Sequence, residues 1–222
     1  MTEKITSNQE NRIADLVRDA VRALSLSKHE AQEIIKVGGY LQEQVKPILK
    51  KLAILDKRFG PAVNEFEFTV PDDYEHDTQL DTFTKKTKIL STTHEFNEDF
   101  RSEDFARATT RLTPGKTYKV KIFPVLEEAT TNDCLIFLAK QNAILVSGQG
   151  ITLLQTEMPE KFPVGKYTVS FDQKDALWFD SDEYHRVPCV YRNPKNSDWE
   201  FWLDYFEDNW LDYYCLLCFS EL

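Results

Sequence analysis

In the first sixty residues the apolar positions recur at spacings of three and four, whereas beyond residue 64 they mostly alternate. A period near 3.6 predicts helices, and a period of two predicts strands with one face buried. Ile13, Leu16, Val17, Ala20, Val21 and Leu24 make one helical stripe, with Arg12, Asp15, Arg18, Asp19 and Arg22 outside it and Ser7 or Asn8 as cap. Ser27, with Glu30 three residues on, forms a capping box for a second helix. Gly38-Gly39 weakens that helix. Pro47 suits the first position of a third, which carries Ile48, Leu49, Leu52 and Leu55. Phe59-Gly60-Pro61 ends the helical segment.

Phe66, Phe68 and Val70 alternate with Glu65, Glu67 and Thr69, a short strand stopped by Pro71. A polar tract with His76 and His94 follows, and Ser102-Glu103-Asp104 starts a short helix with Phe105 and Ala106 facing inward. Thr113-Pro114-Gly115-Lys116 has the composition of a type II turn. Tyr118, Val120 and Ile122 then face the core, with Lys119 and Lys121 in water. Thr130 or Thr131 caps a helix carrying Leu135, Ile136, Leu138 and Ala139, and Asn142 closes it. Ala143 to Val146 reads as a strand apolar on both faces, Ser147-Gly148-Gln149-Gly150 as a hairpin turn, and Ile151 to Gln155 as its return strand. Further strands run through Tyr167, Val169 and Phe171, through Val187, Cys189 and Tyr191, and through Trp199, Phe201, Leu203 and Tyr205. Pro188 marks the second of these as an edge, or as a strand with a free outer side. Tyr213 to Phe219 is apolar on both faces and reads as an interior strand.

These elements predict an α+β fold: an N-terminal helical segment joined to a mixed, mostly antiparallel β-sheet that contains one strand–helix–strand unit. Residues 1–60 form the helical segment, 61–111 an irregular connection, and 112–222 the β-rich domain. The helix between 117–125 and 143–147 predicts that those two strands pair in parallel.

Composition narrows the function classes. The chain has 222 residues, 41% of them hydrophobic and 29% charged, which is ordinary for a folded protein with a real core. No apolar run approaches the roughly 20 residues that span a bilayer. The polar start MTEKITSNQE carries no export signal, and four cysteines without regular spacing suit a reducing compartment, so a cytoplasmic protein is expected. The net charge of −10 splits as +3 for residues 1–60, −5 for 61–170 and −8 for 171–222. An acidic C-terminal region repels phosphates, so nucleic acid is an unfavoured partner there and a basic protein a favoured one. The N-terminal helices could imitate a helix-turn-helix, but they lack a cluster of Arg, Asn or Gln on one short helix.

Four stretches carry candidate chemistry. Cys215-x-x-Cys218 lies in an extended stretch where residues three apart point to opposite faces, and neither Gly nor Pro surrounds it. Core cysteines are therefore expected rather than a zinc or redox site, and neither a metal nor a cofactor is called for. Asp180-Ser181-Asp182-Glu183-Tyr184-His185-Arg186 is the densest polar cluster, and Asp182, Glu183, His185 and Arg186 are its acid–base candidates. Alternation also allows His185 a structural role at the rim of the core. Asp72-Asp73-Tyr74-Glu75-His76-Asp77 is a second such mix, read as solvated loop charge. Trp202 stands on the polar side of its strand between Glu200 and Asp204, with Phe206 beyond. These four residues are the candidate surface for a basic partner.

The segments LTPGKTYKVKIFPV, FDQKDALWFDSDEYHRVPCVYRN and CLLCF resemble a group of bacterial hypothetical proteins without an assigned activity. The resemblance covers residues 65–222 and implies a bacterial origin, in a phage or mobile element. It adds no chemistry. Three functions stand as expectations: a non-catalytic binding or accessory module using the acidic, aromatic C-terminal face, a hydrolase or transferase around Asp180–Arg186, and a nucleic-acid protein using the N-terminal helices.

Overall fold

Residues 57–83, 95–96, 102–196 and 198–222 are described by a computed structural model and belong to one compact unit, Ala53–Leu222. The helices expected before residue 57, and His94, lie outside the described residues. The α+β class holds. An eight-stranded sheet is built from β1 (Asn64–Thr69), β2 (Glu95–Phe96), β3 (Thr117–Pro124), β5 (Tyr167–Val169), β6 (Trp178–Phe179), β7 (His185–Arg192), β8 (Trp199–Tyr205) and β10 (Tyr214–Glu221). The order is β1-β3-β10-β5-β7-β8-β2, with β6 beside β7. The β10–β5 and β8–β2 pairs are parallel and the other pairs antiparallel. A small second sheet pairs β4 (Ala129–Thr130) with β9 (Asn209–Trp210). Helices α1 (Thr131–Lys140) and α2 (Ser147–Glu157), a helical segment at 79–83 and short 3₁₀ turns complete the described architecture.

Where short-range chemistry decides, the elements form as the pattern requires. Gly115 adopts φ +71, and the Lys116 amide bonds the Thr113 carbonyl at 3.1 Å, which is the type II turn. Thr130 and Asp133 cap α1 reciprocally. Asn142, at φ 55, ends it: its amide reaches the Ala139 carbonyl and the Ala143 amide reaches Leu138, a Schellman closure. β10 is interior, flanked by β3 and β5, and Cys215, Leu216, Leu217, Cys218 and Phe219 are all buried.

Four local expectations are overturned. First, β3 pairs with β1 and β10, both antiparallel, and no parallel partner comes from 143–147. Ile144 makes only a single bridge to Phe219, because α2 begins three residues later. Second, Ser147 to Glu157 is a helix rather than a hairpin turn and return strand. Ser147 to Gln155 are buried all round, so burial overrides the two glycines. Gly150 is there for space, since an added Cβ would lie 2.3 Å from the Val146 side chain. Third, β7 is interior. Pro188 sits between the residues that pair with β6 (His185, Arg186) and those that pair with β5 (Cys189–Tyr191), where a missing amide breaks no ladder, and its carbonyl accepts from the Ser170 amide at 3.0 Å. Fourth, Ala106 is exposed; only Phe105 of that pair faces inward. Residues 61–111 also contribute to the sheet through β1 and β2.

Because side chains alternate along each strand, register sorts them between two faces. One face carries the row Phe123–Leu216–Val169–Cys189–Trp202 and, two residues away, the row Tyr214–Tyr167–Tyr191–Glu200. The opposite face carries Cys215–Thr168–Val190–Phe201, all buried. α1 lies on the first face, with Phe137 edge-on to Phe123 at 5.0 Å. The turn after α2 lies on the second, where Phe162 meets Trp199 at 5.6 Å and Lys161 covers Phe66. Burial of each large apolar side chain contributes about 1.5–3 kcal/mol, so this double-sided covering makes the centre of the sheet the core. No helix among the described residues is long and apolar enough to cross a membrane.

Candidate functional site

The uncovered part of the first face lies at its β7–β8 end. Trp202 projects there at 42% exposure, and its indole N–H donates to Glu200 Oε2 at 3.1 Å, which fixes the ring on the surface. Beside it runs the tyrosine ladder. Tyr167 stacks on Tyr191 with centroids 4.6 Å apart, and Tyr213 and Tyr214 pack on its other side at 6.4 and 5.7 Å. Cross-strand aromatic pairs of this kind stabilise the sheet and leave a flat, rigid surface.

Asp204 is the polar centre of this region. Its Oδ2 accepts from the Tyr214 hydroxyl at 3.0 Å and from the Cys189 thiol at 3.3 Å. Burial raises its pKa above the ordinary carboxylate value, against the lowering effect of those two donors. Burial, then the charges of Glu200, Cys189, Tyr191 and Asp204, pushes the Tyr167 phenol up to about 12. Among the described residues neither Glu200 nor Asp204 has an ion pair with Lys or Arg. This surface therefore offers negative charge and apolar rings together.

Phe206, the fourth residue of the expected surface, goes elsewhere. Lys174 lies over its ring at 5.7 Å and pairs with Glu207 at 2.9 Å. His185 joins the same corner, its Nδ1 3.3 Å from Glu207 Oε1 and its ring 4.8 Å from Phe179 and 6.4 Å from Phe206. The two clusters that are twenty residues apart in sequence thus meet on one face.

The acid–base candidates of 180–186 do not gather around His185. Asp180 accepts the Asp182 and Tyr184 amides through Oδ1 and holds Arg186 through Oδ2 at 2.5 Å. Burial opposes its charge, but the Tyr184 amide and Arg186 outweigh it and lower its pKa. Arg186 lies 4.0 Å over the Tyr205 ring. Asp182 and Glu183 are exposed in the turn, where Glu183 takes φ 66. Asp180 therefore shapes the turn, and the carboxylate that reaches His185 is Glu207, which the sequence pattern did not single out. Cys215 and Cys218 fall on opposite faces, and burial pushes both thiols up to about 11. Among the described residues no group of three or more His, Cys, Asp or Glu is arranged to hold a metal ion.

Sequence reasoning missed the tyrosines. Alternation makes Tyr167 and Tyr191 ordinary inward positions and puts Tyr213-Tyr214 in an apolar run. The available signal was that three strands each put a tyrosine at a matching end, but only register shows that they align. No family model matches the chain, and neither the curated proteins nor the solved structures contain a match.

Proposed function

We propose that this chain is a non-catalytic binding module whose Trp202 face receives a basic segment of a protein partner. The observation that carries this reading is the exposed Trp202, held by Glu200 and flanked by Asp204, with neither carboxylate ion-paired to a Lys or Arg among the described residues. An indole and adjoining tyrosines supply area and cation–π attraction, and the carboxylates supply sign, a combination that fits lysine and arginine side chains. The same charge disfavours nucleic-acid phosphates.

An oligolysine peptide, with oligoglutamate as control, tests the reading by titration calorimetry at low and moderate salt. Oligolysine should bind in a salt-sensitive manner, and Trp202→Ala and Glu200→Lys should each abolish or strongly weaken binding. Reversal at Asp204 is a poorer probe, because it would also break the bonds to Tyr214 and Cys189. Binding that ignores salt and survives both substitutions would reject the reading.

A further inference from the structure

His76 takes no part in the Trp202 face, yet it is only 8% exposed. It opens the 3₁₀ turn His76–Thr78, in the stretch 71–83 that runs into the helical segment 79–83. Its Nδ1 lies 3.0 Å from the Tyr74 hydroxyl, and the two rings stand edge-on with centroids 6.2 Å apart. Its Nε2 is buried and has no hydrogen-bond partner.

This corner can hold a neutral imidazole in either tautomer but not the cation. With hydrogen on Nε2, the Tyr74 hydroxyl donates to Nδ1; with hydrogen on Nδ1, the hydroxyl oxygen accepts. The imidazolium carries N–H at both positions. Tyr74 can then accept from Nδ1, and the Nε2 donor of a charged ring is left out of water without an acceptor, which is costly. The charges that act on the ring are Arg111 and Asp77, of opposite sign. Those two grip each other through hydrogen bonds of 2.7 and 2.9 Å, so the carboxylate is already committed to a guanidinium. Asp72, Asp73, Glu75 and Asp81 of the same stretch are exposed. The neighbouring turn Ser102–Phe105 carries Glu103 and Asp104, and β3 carries Tyr118; none of these groups is hydrogen-bonded to the ring. Burial, then the Arg111 charge, lowers the His76 pKa, against Asp77.

The polar ties that hold the stretch besides His76 are few. The Arg111–Asp77 pair is exposed on both sides, and Asp81 and Ser102 exchange bonds of 3.1 and 3.5 Å. Tyr74, Leu80 and Phe83 bury its apolar side. We propose that His76 is an acid-sensitive latch: neutral, it closes the stretch 71–83 on the fold together with Tyr74, and its protonation opens that stretch while the sheet stays folded. Because the folded pKa is the lower one, the closed state is fully favoured above the ordinary histidine value of about 6.5 and loses ground as pH falls from there toward the lowered value.

Hydrogen exchange of the full chain, with protection of the 74–83 amides compared with that of β10, tests this. Protection at 74–83 should fall between about pH 7 and about pH 5 while β10 keeps its own. In His76→Gln, whose side chain can still bond Tyr74 but takes up no proton, that pH dependence should be lost. Carbon NMR of the His76 ring in the unmodified chain gives a second reading that needs no variant: ring protonation and the loss of protection at 74–83 should share one midpoint. Protection that ignores pH, a fall that β10 shares equally, the same fall in His76→Gln, or two separate midpoints would overturn the latch.

Discussion

Asp180 and Asp204 are carboxylates of the same acidic region, yet the fold treats them in opposite ways. Asp180 collects two backbone amides and the Arg186 guanidinium, and its charge is stabilised although its side chain is only 5% exposed. Asp204 collects a phenol and a thiol, has no ion pair with Lys or Arg among the described residues, and its pKa rises with burial. The difference lies in the donors: amides and guanidinium favour the anion strongly, whereas neutral hydroxyl and thiol donors do not overcome desolvation. The first arrangement fixes a turn. The second leaves negative potential unspent beside Trp202, where a basic partner can use it.

The largest test of that contrast is Asp180→Ala, which takes the carboxylate from Arg186 at a site where its side chain is 13% exposed and leaves it the Leu203 carbonyl and the Tyr205 ring. It should lower stability by about 3 kcal/mol in urea unfolding while the remaining folded protein keeps its affinity for oligolysine. A loss below about 1 kcal/mol would mean the pair is not effectively buried. Trp202→Ala should do the reverse: an affinity loss of about 2 kcal/mol or more, with stability within about 0.5 kcal/mol of the parent. A stability loss rivalling that of Asp180→Ala would make Trp202 a packing residue.

Asp204→Asn comes next. The amide oxygen still accepts from Tyr214 and Cys189, and removing the desolvated charge should raise stability at neutral pH, read as a higher urea midpoint. The pH signs differ between the two residues. The raised pKa of Asp204 means that its unfavourable contribution is absent below the ordinary carboxylate value and sets in as pH rises from there through the raised value. The lowered pKa of Asp180 means that its stabilisation is complete above the ordinary value and is lost as pH falls through the lowered one. Urea midpoints across the acid range should therefore show a smaller acid-side fall in Asp180→Ala and a smaller decline toward neutrality in Asp204→Asn, the remainder coming from carboxylates such as Asp77 and Asp172 that shift in the same directions. The smallest effect belongs to Glu200→Gln, where a twofold to threefold weaker, less salt-dependent oligolysine affinity should accompany unchanged stability, since isolated surface charges contribute on the order of 0.5 kcal/mol. A large loss of stability there would show that the Trp202–Glu200 bond supports the fold.

Much of the architecture was legible because short-range chemistry decided it. The turn at Gly115, the capping box of Thr130 and Asp133, the closure at Asn142 and the apolar run of β10 each depend on a few neighbouring residues. The errors fell where burial from distant elements outweighed those preferences. Ser147 to Gln155 looked like a hairpin because two glycines flank Gln149, but the core surrounds the stretch and makes it α2. Pro188 looked like an edge marker, but it occupies the one place in an interior strand where two partners change over. The candidate surface was partly readable: Glu200, Trp202 and Asp204 share a face by alternation alone. Phe206 left that group because it lies past the end of β8, under Lys174.

The sequence by itself determined which side chains could be buried, where α1 starts and stops, and that the C-terminal region is acidic with a tryptophan on its polar side. It did so because periodicity and capping act over three or four residues. Strand order, the alignment of three tyrosines beside Trp202 and the pairing of His185 with Glu207 were decided by the tertiary structure. Those features join residues tens of positions apart, and only the packing of the whole sheet sets their register.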